Sequence, residues 1–131
     1  MIIKQTESLI CFEFGTIELK NGILVQCYHK NTIVDLDKVY LMEAAIETLT
    51  KKKKIPFLFL GKEGVEPTLE ARKYSSSEKA NKYISAIAIV IEKGNLAHKI
   101  FGNILLTIDK RPNPIKIFTN ENKAISWLSK Y

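Results

Sequence analysis

The sequence predicts an α/β fold: a mostly parallel sheet with an N-terminal antiparallel hairpin, in the order ββαβαβαβα, as a single domain over residues 1–131. Three observations predict it. Asn21-Gly22 separates two β-rich runs, and that pair favours the type I′ turn of a tight hairpin. The runs "IPFLFLG" and "ISAIAIVIE" show no polar alternation, as expected of strands covered on both faces. Helical patterns lie between and after these runs, and regular strand–helix alternation builds parallel strands joined by right-handed crossovers.

Each element has its own signal. The residues through Glu13 carry no clear period and read as an edge strand or a loose arm. The hairpin strands fall at Gly15–Lys20 and Ile23–His29. In "VDLDKVYLMEAAIETLTKKKK", Val39, Met42, Ile46 and Leu49 share one helical face. Asp35 caps that helix, Asp37 adds acid to its first turn, and the lysines close its end. The strand that follows is bounded by Pro56 and Gly61. A second helix begins at Thr68 and runs through "LEARKYSSSEKANKY", with Leu69, Ala80 and Tyr83 inward; Ser75 to Ser77 lower its propensity. The next strand spans Ile84–Glu92, and Asn95 caps a third helix along which Leu96, Ile100, Ile104 and Ile108 step by four. Gly102 inside it costs about 1 kcal/mol relative to alanine. "KRPNP" ends it, "IKIFT" is the last strand, and Thr119 caps a last helix with Ala124, Trp127, Leu128 and Tyr131 inward.

Bulk properties narrow the function class. With 131 residues, 46% of them apolar and 26% charged, the chain is long and apolar enough to bury a core. Its longest unbroken apolar run, Ala86 to Ile91, is far short of the ~20 residues that span a bilayer. The opening "MIIKQTESLICF" is broken by Lys4 and Glu7, so no signal peptide and a cytoplasmic location are expected. Cys11 and Cys27 have neither metal-like nor redox spacing and read as small buried hydrophobes, a disulfide between them being the minority reading. The net charge of +6 raises the question of polyanions, yet Arg72 and Arg111 are the only arginines. Specific nucleic-acid readers lean on arginine, so none is expected here. The run Lys51 to Lys54 reads as a solvated helix end. Nonspecific binding through lysines would fall steeply with salt.

No catalytic signature is present. His29 closes a strand and His98 lies in the third helix with no second ligand four residues on, so neither a zinc site nor another cofactor is expected. G-x-S-x-G and G-x-G-x-x-G are absent, and "GKEG" at Gly61 to Gly64 lacks the lysine–hydroxyl ending of a phosphate-binding loop. The pairs Asp35/Asp37 and Glu63/Glu66 are accounted for by helix and loop polarity. The chain reads as a non-enzyme.

Four stretches carry a family resemblance: "KNGILVQCYH" with "VDLDKV", "EARKY", "NILLTIDKRPNPIKIFT" and "ENKAISWLSKY". With the element order they resemble the SpoIIAA-like (STAS) fold of the bacterial anti-sigma-factor antagonists, and most of all its small bacterial SpoIIAA-like branch. The resemblance implies a domain that works by binding a partner protein; some relatives bind nucleotides or lipids. In the antagonists, a serine at the start of the helix after the third strand is phosphorylated by a partner kinase. At that corner this chain has Leu60-Gly61 where the antagonists have an aspartate, and Thr68 followed by Leu69-Glu70 where they have a serine pair and glycine.

That corner and the carboxyl edge of the sheet supply the candidate site. Ligands of parallel α/β sheets sit beyond the carboxyl ends of the strands. The loops there carry Lys62, Glu63, Glu66, Lys93, Asn95 and Asn120, and Arg72 lies one turn into the second helix. Lys62, Lys93 and Arg72 suit an anion. Thr68 sits where unpaired N–H groups receive a phosphate, which makes it the candidate phosphosite, or it is simply a helix cap. The leading expectation is a regulatory module docking a protein through Gly61 to Arg72. The alternative is a binder of a small anion, nucleotide or lipid, with a pocket floored by Phe57–Leu60 and Ala86–Ile91. A two-fold contact made by Trp127, Leu128 and Tyr131 is the remaining partner reading.

Overall fold

The structure, a computed structural model, describes residues 1–91 and 112–131. A tight hairpin joins β3 (Gly15–Lys20) to β4 (Ile23–Tyr28). Asn21 and Gly22 have φ of 52° and 78°, the two left-handed residues that a type I′ turn requires. Gly15 faces Tyr28 across the pair, and a Cβ there would run into the Cys27 carbonyl oxygen and lie 2.9 Å from Tyr28 Cα. Only glycine lets the two backbones come this close.

The N-terminal stretch is an ordered strand pair and not a loose arm. It forms β1 (Ile2–Gln5) and β2 (Leu9–Phe12), antiparallel to each other, with β2 antiparallel to β3. Ile10 and Phe12 alternate inward and are buried. Thr6 Oγ1 accepts from the backbone N–H of Leu9 at 3.1 Å and holds the connecting turn. Strands of four residues are too short for a period-two pattern to stand out in the sequence.

The rest of the described chain comprises β5 (Ile33–Val34), α1 (Leu36–Thr50), β6 (Ile55–Leu60), β7 (Glu66–Pro67), α2 (Leu69–Ser75), β8 (Ile84–Val90), β9 (Ile115–Phe118) and α3 (Glu121–Leu128). Among the described residues the main sheet has the order β1-β2-β3-β4-β6-β8-β9, antiparallel as far as β4 and parallel from β4 to β9. The third helix expected from Asn95, with Lys93 and His98, lies outside the described residues.

The central strands are covered on both faces, which is why their sequences do not alternate. Phe57, Ile87 and Ile89 face α1 and α2, where they join Leu24, Val39, Met42, Ile46 and Leu49. Leu58, Ala86 and Ala88 face the other way, onto Ala124 and Leu128 of α3. Alanines at three of these positions let the helix lie close to the sheet.

Several boundaries differ from the sequence reading. Asp35 caps α1 as expected, its carboxylate accepting from Lys38 N at 3.0 Å. The lysines lie past the helix end: Lys51 is the left-handed C-cap and Lys52 also has positive φ. The second helix stops at Ser75 instead of continuing to Tyr83. Ser76 Oγ donates to Arg72 O at 2.9 Å and Ser77 Oγ to Tyr74 O at 2.6 Å. The buried Asn81 amide donates to the carbonyls of Ser75 and Ser77. Side chains that bond the local backbone offer it an alternative to helix, and here they end one. Consequently Ala71 is the inward residue of α2 and Leu69 is exposed. At α3 the cap is Asn120, not Thr119; its side chain accepts from Lys123 N at 3.0 Å. Ala124 and Leu128 are fully buried, while Tyr131 is exposed and packs on Trp127.

Cys11 and Cys27 are free. Both pair with Thr16, from opposite sides. They therefore lie two strand spacings apart, about 9.5 Å, beyond the reach of a disulfide.

Candidate binding site

The corner between β6 and α2 is built from two loops tied together. Its short strand β7 pairs in parallel with β5, so the segment 61–68 is fastened to the segment 29–34. Glu66 N donates to Thr32 O and Thr68 N to Val34 O, each at 3.0 Å, and Asn31 N donates to Glu63 O at 2.9 Å. Gly64 has φ of 73°, and any side chain there would strike Asn31. Two-residue strands leave no periodic trace, so this tie was not legible in the sequence. The nearest signal was Gly64 itself.

Thr68 is the N-cap of α2, and its Oγ1 accepts from Ala71 N at 3.1 Å. Beside it Leu69 is 59% exposed, and Ile33, on the strand that pairs with Glu66-Pro67, is 53% exposed. Lys62 is half-buried and close enough to Cys27 to offset part of the rise that burial imposes on its thiol. Glu63 is exposed. Asn120 belongs to the α3 cap. Lys93 and Asn95 lie outside the described residues.

Beneath the corner lies a cavity of about 210 Å³ between the sheet and the two helices. Its floor includes Phe57, Phe59, Ile84, Ile87 and Ile89, and its roof Val39, Met42, Ile46 and Ala71. This cavity lies over β6 and β8 on their helix-covered face, a different place from the carboxyl edge where the sequence reading put a pocket. Of the described candidate residues Arg72 borders it, and Lys62, Glu63, Thr68 and Asn120 do not. The sequence offered no cue to Gln26, Tyr28, Glu43 and Asn81 in its wall, because they come from three separate parts of the chain: β4, α1 and the segment between α2 and β8.

The polar groups are unequally satisfied. Asn81 is bonded through both its nitrogen and its oxygen. Glu43 accepts the hydroxyl of Tyr74, whose ring stands edge-on to Tyr40 at 5.0 Å. Burial and then this carboxylate push the Tyr74 hydroxyl up to about 12. Burial also raises Tyr28 well above the ordinary tyrosine range, with Gln26 partly opposing it. Arg72 differs: its Nε is buried with no hydrogen-bond partner. The ion pairs among the described residues are Lys38–Asp35 and Lys52–Glu47, so neither engages Arg72. An unmade buried donor costs about 1–3 kcal/mol, more when it is charged.

The sequence profile of the family described as "Domain of unknown function (DUF7793)" matches residues 17–131. The chain belongs to the DUF7793 family. No curated protein matches it. Two crystal structures are similar to this family member. One is an uncharacterized protein of the DUF3478 family with a SpoIIAA-like fold, from Shewanella loihica PV-4: 17% identity, TM-score 0.61, covering 95% of this chain and 97% of that one. The other is an anti-sigma factor antagonist from Mycobacterium paratuberculosis: 11% identity, TM-score 0.52, covering 97% and 99%. The SpoIIAA-like, STAS-type fold expected from the sequence is therefore the fold of this DUF7793 chain. No helix among the described residues is long and apolar enough to cross a membrane.

Proposed function

We propose that this chain is a non-enzymatic, cytoplasmic regulatory module, one domain over residues 1–131, that docks a partner protein through the corner from Gly61 to Arg72. The observation that supports it most is the pair Ile33 and Leu69. Two large apolar side chains, each more than half exposed, stand at a corner whose backbone is already tied down. Exposed apolar anchors on a rigid frame gain contact area on docking with little ordering cost. The likeness to an anti-sigma factor antagonist supports a protein as the partner. Thr68, at the centre of the corner, is the modification point of this reading. A phosphate there would exchange a capping hydroxyl for charge beside the apolar anchors.

The test is affinity purification from the chain's own host. Wild type is compared with Leu69→Asp, Ile33→Asp and, as a control on the opposite face, Ile125→Asp. A partner retained by the control and lost from both corner variants is the expected result. Identical capture by all four proteins would refute the corner. Thr68→Ala and Thr68→Asp then separate cap from switch: equal capture by both removes the switch. Self-association lost in the corner variants would make the partner a second copy.

The cavity beneath the corner favours a second reading, small-ligand binding, in a different place from the carboxyl edge.

A further inference from the structure

We propose that the cavity under α1 and α2 is a binding site for a small amphipathic organic acid, with Arg72 anchoring its carboxylate. Three observations meet here. The walls are predominantly aliphatic and aromatic, so they reward an apolar body. The volume of about 210 Å³ exceeds the roughly 150 Å³ that accommodates benzene in an engineered cavity. A space of this size suits a benzyl group or a short alkyl chain. Arg72 borders this space and is its one cationic side chain among the described lining residues. A carboxylate placed against its guanidinium would gain a charge-assisted hydrogen bond.

The neighbours restrict the charge of the ligand. Glu43 also borders the cavity and is held by Tyr74. A dianion such as a phosphate monoester would face both an apolar wall and this carboxylate, with one guanidinium to offset them. A monoanion meets a smaller penalty. The site thus takes a free acid of the size of phenylacetate or hexanoate.

The test uses the purified full chain and no partner, so it stands apart from the docking reading. Amide and methyl NMR shifts are followed on adding phenylacetate or hexanoate, and separately the neutral analogues 2-phenylethanol and hexanol. Saturable shifts at Ile46, Phe57 and Ile87, with a Kd on the order of 0.1–1 mM for the acids, are expected. Arg72→Met should weaken acid binding on the order of 10- to 100-fold and leave the alcohols unchanged. Glu43→Gln should strengthen it by removing the opposing charge. Corner variants such as Leu69→Asp should bind the acids normally. Absence of saturable shifts in wild type overturns the proposal, and so does equal acid affinity in wild type and Arg72→Met. Shifts confined to surface lysines would mean nonspecific adsorption and overturn it as well.

Discussion

Leu128→Ala tests how the C-terminal helix is held to the sheet. Leu128 is 0% exposed and packs with Ala124 on Leu58, Ala86 and Ala88. The substitution removes three carbons, about 2.4 kcal/mol of transfer free energy at ~0.8 kcal/mol each. Ala86, Ala88 and Ala124 in the same cluster are too short to fill the space, so a cavity contribution adds to the loss. A total of about 3–4 kcal/mol is expected, within the range of buried Leu→Ala changes. At about 2.1 cal/mol/K per residue over 131 residues, this lowers Tm by roughly 10–15 °C. Urea unfolding gives the free energy, and scanning calorimetry gives the shift in Tm. Ile125→Ala, at a position 40% exposed on the same helix, should change stability by less than ~0.5 kcal/mol. A Leu128→Ala loss below about 1 kcal/mol, or equal losses for both variants, would refute the assignment of Leu128 as the anchor of α3.

Three more perturbations follow from the geometry. Gly15→Ala places a methyl group against the Cys27 carbonyl and the Tyr28 backbone, so it should cost about 1–3 kcal/mol by urea unfolding, where an Ala in an open turn costs far less. Glu43→Gln removes the charge that helps raise Tyr74; its titration, followed by tyrosine NMR, should move down from about 12 toward 10. Because the folded-state value lies above the unfolded one, Tyr74 contributes stability that is fully present below about pH 10 and is lost as pH rises toward 12, and Glu43→Gln should flatten that loss. Asp35 has the opposite sign. Its carboxyl lies below the ordinary value, first because Lys38 N donates to it, so its contribution is present above the ordinary aspartate range and is lost as pH falls. Asp35→Asn keeps a capping oxygen and should remove that acid dependence, as read by helix content in a pH titration.

Legibility in the sequence followed the range of the interactions. Asn21-Gly22 was readable because the turn depends on two adjacent residues. The face of α1 was readable because Val39, Met42, Ile46 and Leu49 repeat at helical spacing, and all four are buried. The strands β6 and β8 were readable because burial on both faces leaves a continuous apolar run. The end of α2 was missed because it depends on which carbonyls Ser76, Ser77 and Asn81 reach, and Asn81 is brought there by the chain doubling back. Thr119 and Asn120 are both good caps, and only the backbone path at β9 selects the second.

By itself, then, the sequence determined the strand–helix alternation, the hairpin and the two-sided core, because each is set by propensities and periods along a few consecutive residues. It also marked the corner at Thr68 and singled out Arg72. The tertiary structure alone decided what surrounds them. It paired β5 with β7, left Ile33 and Leu69 outside, and moved the pocket from the sheet edge to the space under α1 and α2. A cavity is a property of how helices seat on a sheet, and whether Arg72 finds a partner depends on residues far from it in the chain. No period or motif in one dimension records either.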